Sequence, residues 1–171
     1  AGITGPEHFE GVAQIRYRGE STYGTKRHFA FEIQDEYGDD KDVSLLGMPA
    51  ESDWVITGEN LDYTSLKCEL AFKWFRDMGH YAPRQRYVEV YLNEDGGKLS
   101  TDDYKGLFML REKIKRSKNR VDIARLDTSH NLQPKVSGGY IIKCDKLNDG
   151  DMLLTDYLET APYGIHTTGN G

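Results

Sequence analysis

Apolar and polar residues alternate over Gln14-Ile15-Arg16-Tyr17-Arg18 and again over His28-Phe29-Ala30-Phe31-Glu32-Ile33. A period of two marks strands with one face turned to a core. The chain therefore opens on two strands joined by the polar loop Gly19–Arg27. Asp35 to Asp42 is acidic and predicts a solvated hairpin tip. Leu45-Leu46-Gly47-Met48-Pro49 closes a short segment, because proline disfavours helix at the residue before it. Asp53-Trp54-Val55-Ile56 reads as a short buried strand or turn that carries Trp54 into the core.

The period then changes. Leu66, Leu70, Ala71, Trp74, Phe75 and Met78 recur at helical spacing as one apolar stripe, which predicts a helix packed through that stripe on a sheet. Asp62 or Thr64 is suited to cap its start, and Gly79 to end it. Tyr87–Leu92 and Tyr104–Leu110 read as an antiparallel strand pair joined by Asn93–Asp103 with its Gly96-Gly97. Ser137-Gly138-Gly139 is a turn leading into a strand over Tyr140-Ile141-Ile142-Lys143, and from Leu147 onward the pattern fades. The class is α+β, an antiparallel sheet with one principal packed helix. The expected organisation is an N-terminal extension over 1–13, a lobe over 14–146, and a flexible tail or the start of a following region over 147–171.

At 171 residues the chain is long enough for one domain with a single core. A net charge of −6 argues against nucleic acid or an anionic membrane as the main partner. No apolar run approaches the roughly 20 residues that span a bilayer. Ala1-Gly2-Ile3-Thr4-Gly5 has no signal-peptide pattern, but a processed or excerpted chain starts the same way, so secretion stays open. Cys68 and Cys144 read as small buried hydrophobes rather than ligands. With no C-x-x-C, no H-E-x-x-H and five scattered histidines, no metal site is predicted.

Against this acidic background, Glu112 to Arg120 carries five basic side chains in nine residues. Such a run suits a specific anion, phosphate first, or equally a solvated turn. The Gly19–Arg27 loop offers a second anion candidate. Gly19 and Gly24 allow backbone amides to converge, Ser21, Thr22 and Thr25 add hydroxyls, and Arg18, Lys26 and Arg27 add charge. A hairpin loop of ordinary composition reads the same way. Arg120 serves equally well as a ligand contact or as an anchor through Asp122. No Ser-His-Asp set or carboxylate pair can be placed, and neither Asp-Phe-Gly nor His-Arg-Asp occurs, so an ordinary protein kinase is excluded.

In series, these segments resemble the CotH kinase family. The stretches that carry the likeness begin with Tyr17-Arg18-Gly19-Glu20-Ser21, Lys26-Arg27 and Leu45-Leu46-Gly47-Met48-Pro49. They continue through Ser52-Asp53-Trp54-Val55-Ile56, Asp62 with Ser65-Leu66, Tyr81-Ala82-Pro83-Arg84 and Val88–Asn93. Tyr104-Lys105-Gly106, Glu112–Arg116, Asn119–Asp122 and Gly138–Ile142 complete the set, from about Arg16 to Asp145. The family is similar to diverged, atypical protein kinases that use ATP and a divalent metal, Mg or Mn, to phosphorylate protein side chains. It occurs on bacterial spores and in secreted or surface-attached proteins.

The resemblance implies a diverged kinase small lobe, the nucleotide-binding N-terminal part of such an enzyme. Arg18, Gly19, Ser21, Lys26 and Arg27 would form a phosphate-covering hairpin. Glu112, Lys113 and Ile114 would form a connection whose backbone meets the adenine edge. The catalytic and metal-binding aspartates are expected beyond Gly171. Lys67-Cys68 departs from the family's arginine–asparagine pair and loses its fork of hydrogen bonds. The alternative is a non-catalytic structural or interaction module of a spore-coat or extracellular assembly, marked by an exposed patch of Tyr17, Tyr23, Tyr81 and Tyr87.

Overall fold

The alternation in the sequence becomes a five-stranded antiparallel sheet. The computed structural model describes residues 8–19, 26–59, 62–145 and 164–167. The chain divides into two units, residues 1–114 and 115–171. In the first, β1 (Val12–Arg18), β2 (His28–Gln34), β3 (Asp53–Thr57), β4 (Gln85–Tyr91) and β5 (Tyr104–Glu112) lie in the order β1-β2-β3-β5-β4, with helix α1 (Lys67–Asp77) between β3 and β4 in sequence. Fold class is thus as the patterning predicts. The second unit holds a turn in which Val121 N–H donates to Lys115 O and Ser117 N–H to Val121 O. It also holds a hairpin of β6 (Ile142–Asp145) and β7 (Gly164–Thr167). The sequence pattern gave no sign of β7.

Register assigns the faces of the large sheet. Tyr17 pairs with Phe29, Phe31 with Trp54 and Ile56 with Leu110, so one face collects Tyr17, Phe29, Phe31, Ile33, Trp54, Ile56, Phe108 and Leu110. The core forms there around Ile33, Met48, Trp54 and Leu110, and Val43, Leu45 and Leu46 pack onto it from the segment before β3. Trp54 is fully buried, and its indole N–H donates to Glu51 O at 2.9 Å. Asp35 Oδ1 accepts from the backbone N–H groups of Tyr37 and Asp39, which closes the acidic hairpin tip.

Helix α1 starts and stops where its flanking residues dictate. Asp62 Oδ2 accepts from Lys67 N–H at 2.9 Å, while Oδ1 accepts from the Thr64 hydroxyl at 2.6 Å. At the other end Gly79 takes φ 86°, its N–H donates to Arg76 O, and His80 N–H donates to Phe75 O. That pair of bonds is a Schellman motif, which favours glycine at this position. The hydrogen bonds from Thr64 and Lys67 hold the Asp62 carboxyl below its ordinary value of 3.8. A depressed carboxylate contributes stability above its unfolded pKa and loses it as pH falls through the folded one. Asp62→Asn should therefore unfold more easily than the parent at pH 6. The gap should close as both are titrated below about pH 4, the ordinary aspartate range, and urea melts across that range measure it.

The helix differs from expectation in which side meets the sheet. Glu69, Phe72 and Arg76 face it, on the side opposite the core. Gln85 Nε2 donates to Glu69 Oε2 at 2.6 Å, Arg111 Nε donates to Gln85 Oε1 at 2.8 Å, and the Arg111 guanidinium lies over Phe72 at 4.9 Å. The predicted apolar stripe points away, with Trp74 60 % and Met78 65 % exposed. The physical reason lies in β4 and β5. They present Gln85 and Arg111 on this face, and such groups lose free energy when buried without partners. The polar side of the helix supplies those partners and the apolar side does not.

Candidate functional site

The predicted cations gather at the end of the sheet where β1 leads to β2. Arg18 pairs with His28 across the two strands, and Gly19 follows at φ 88°, a left-handed backbone suited to glycine. Ser21, with Thr22, Gly24 and Thr25, lies outside the described residues. Lys26 Nζ donates to Leu107 O at 2.9 Å and stands 5.6 Å from the Phe108 ring centre. The Arg27 guanidinium lies over Tyr17 at 5.0 Å.

Three rings make a floor beside these cations. Tyr17 meets Phe29 at 5.0 Å, and Phe29 meets Phe108 at 6.4 Å. Gly58 permits this arrangement. A Cβ at that position would fall 2.5 Å from Lys26 Cβ and 2.8 Å from Phe108 Cε1. The floor opens into a cavity of about 160 Å³ that Arg27, Lys105, Leu92 and Glu94 complete. The Tyr17 hydroxyl donates to Glu94 Oε1 at 3.4 Å. Lys105 and the ring floor did not emerge as a site from sequence reasoning. The available signal was Gly106 inside a strand, which suggests a bulge.

Glu112, Lys113 and Ile114 lie at the opposite end of β5. Leu107 and Glu112 are five positions apart, roughly 17 Å at the rise of a strand. The two predicted groups therefore occupy the two ends of one strand rather than one cluster. Glu112 is fully buried. Its Oε1 accepts from Arg84 Nε at 2.6 Å, and its Oε2 from Arg84 N–H at 2.9 Å. Lys113 Nζ donates to Asp53 Oδ1 at 2.7 Å, and Ile114 is exposed. Nearby, a hydrogen bond shared with Asp40 raises the Glu32 carboxyl above its usual range. Burial and the charges of Asp40 and Asp53 add to this, and Lys113 opposes it.

A model of the family described as CotH kinase protein matches residues 15–165. The chain belongs to this family. Neither the curated proteins nor the solved structures gave a match to it. In this CotH-family chain, the residues at positions 67 and 68 take up different places in the fold. Lys67 supplies the backbone N–H that Asp62 holds, while the half-buried Cys68 stays a free thiol. Among the described residues, no three His, Cys, Asp or Glu side chains form a set that fits a metal ion. No described helix of the CotH-family chain is long and apolar enough to cross a membrane.

Proposed function

We propose that this chain is the nucleotide-binding N-terminal part of a CotH-type atypical protein kinase, with ATP as the ligand and a protein side chain as the acceptor of phosphate. The observation that carries the reading is the pair Lys26 and Arg27 beside the aromatic rings of Tyr17, Phe29 and Phe108, with Arg18 and the positive-φ Gly19 at the adjoining end of β1, in a CotH-family chain. Phosphoryl transfer rests on positioning and on charge neutralisation of the phosphates. Lys26 is held in place by Leu107 O and the Phe108 face, and Arg27 by the Tyr17 ring, so both charges are positioned in advance.

The far end of β5 contributes differently. Arg84 and Asp53 engage the side chains of Glu112 and Lys113, and Glu112 N–H donates to Arg84 O, so adenine recognition falls to the backbone of Lys113 and Ile114. A divalent ion normally accompanies ATP in such chemistry. The described residues offer it no fitting donor set. By the same reading the protein works on a spore coat or outside the cell.

The alternative, a non-catalytic structural module, called for a surface shared by Tyr17, Tyr23, Tyr81 and Tyr87. Tyr23 lies outside the described residues. Tyr17 contacts Phe29 on the core face, whereas Tyr87 donates to Ser65 O on the face that carries α1. Tyr81 is half-buried. Titration calorimetry of the 171-residue chain with ATP separates the two readings. Saturable binding is expected, weakened about tenfold in Arg27→Ala, the order of one charge-assisted hydrogen bond. A folded chain that takes up no ATP at millimolar concentration would favour the structural module.

A further inference from the structure

The register of β5 against β4 contains one extra residue. Leu107 pairs with Glu89 and Gly106 with Val90, but the next pair is Tyr104 with Tyr91, so Lys105 has no partner of its own. This is a β-bulge, a device that re-aims a side chain. Gly106 takes φ 104° within it. Tyr104 remains on the α1 side of the sheet, its ring tilted against Tyr91 at 5.0 Å and its hydroxyl donating to Glu89 Oε1. Without the bulge the same sequence would set Lys105 opposite Tyr91, on the α1 side. With it, Lys105 shares the side of Gly106, away from Tyr104, and lines the aromatic-floored cavity beside Arg27. Gly106 there leaves space for Lys26, whose Cε would stand 3.4 Å from a Cβ at that position.

The three cations at this end of the sheet are therefore not equivalent. Lys26 is committed to Leu107 O, and Arg27 lies on the Tyr17 ring. Lys105 is exposed, and among the described residues no carboxylate pairs with it. Glu94 sits in the same cavity but takes its hydrogen bond from the Tyr17 hydroxyl. A cavity of about 160 Å³ is smaller than the roughly 300 Å³ at which small-molecule sites begin. It suits a fragment of a ligand, and the cations suit the phosphate end.

We propose that Lys105, turned into the cavity by the Gly106 bulge, is a further contact to the polyphosphate of the nucleotide. This rests on the ATP reading above and adds to it a residue from a different strand. While Arg27 reaches the cavity from just before β2, Lys105 reaches it from β5. Its single mobile charge suits a group that gains its partner only when ligand arrives.

The test is calorimetry on the 171-residue chain with ATP, inorganic tripolyphosphate and adenosine, each titrated into parent, Lys105→Ala, Lys105→Arg and Arg27→Ala. Lys105→Ala should weaken ATP and tripolyphosphate about tenfold, as loss of one charge-assisted contact does, and leave adenosine unchanged. Lys105→Arg should restore most of the loss. Unchanged unfolding midpoints would show that the fold is intact, as expected for an exposed side chain. If the parent binds ATP and Arg27→Ala weakens it, while Lys105→Ala binds within twofold of the parent, the Lys105 assignment is overturned and the nucleotide reading stands. If the folded parent binds neither ATP nor tripolyphosphate, both fall together. An equal loss of adenosine and ATP in Lys105→Ala would place the side chain at the base and also overturn the assignment.

Discussion

Trp54→Ala should remove a large share of the chain's stability. Truncating a fully buried tryptophan costs about 3–5 kcal/mol, against a total of about 5–15 kcal/mol for a domain of this kind. Trp54 is fully buried among Ile33, Met48 and Leu110, with Leu45 and Leu46 closing over the cluster. The substitution also removes the donor that Glu51 O accepts from. Urea unfolding followed by circular dichroism should show the midpoint falling by roughly a third to a half for a domain of about 10 kcal/mol. Trp54→Phe keeps much of the volume and should fall by roughly half as much. A Trp54→Ala chain as stable as the parent would mean that the core lies elsewhere.

Glu112→Ala is the second large effect, and it decides between two roles for one residue. The likeness to the kinase family placed Glu112 beside a nucleotide, but its side chain is wholly buried and spans the Nε and the backbone N–H of Arg84. Removing one partner of a buried pair costs about 3–5 kcal/mol. Arg84 keeps 36 % of its side chain in water, so the expected loss is about 2–4 kcal/mol. Glu112→Gln should lose less, because one amide oxygen still accepts from Arg84. In both variants the unfolding midpoint should move while ATP affinity, measured where the chain is folded, stays near the parent value. The reverse pattern, intact stability with lost affinity, would return Glu112 to the nucleotide.

β2 was legible because its alternate side chains meet a core, whereas β1 alternates in sequence although all of its residues are exposed. His28–Gln34 buries Phe29 and Ile33, and the period of two records it. Helix α1 was legible in extent, since Asp62 and Gly79 act through local hydrogen bonds. Its orientation was not. A stripe says that a helix has two sides, while Gln85 and Arg111, distant in sequence, decide which side meets the sheet. The same holds for the candidate site. The charges of Lys26 and Arg27 are visible in the sequence, but the partners that fix Lys26 and Glu112 are Leu107 O and Arg84, 81 and 28 residues away. Lys105 was hidden for a different reason. Ordinary alternation relates its face to those of its neighbours, and the bulge breaks that relation.

The bulge also bears on how related chains are to be compared. Deleting a single residue between Tyr104 and Leu107 would restore uninterrupted pairing with β4 and return the sheet to one-to-one alternation. Were Gly106 the residue lost, Lys105 would take its place opposite Val90 and still face the cavity, while Tyr104 and Leu107 would keep their own side. Two sequences aligned with a one-residue gap there, each keeping a lysine, would therefore present that lysine to the same side of the protein, one of them with a glycine beside it.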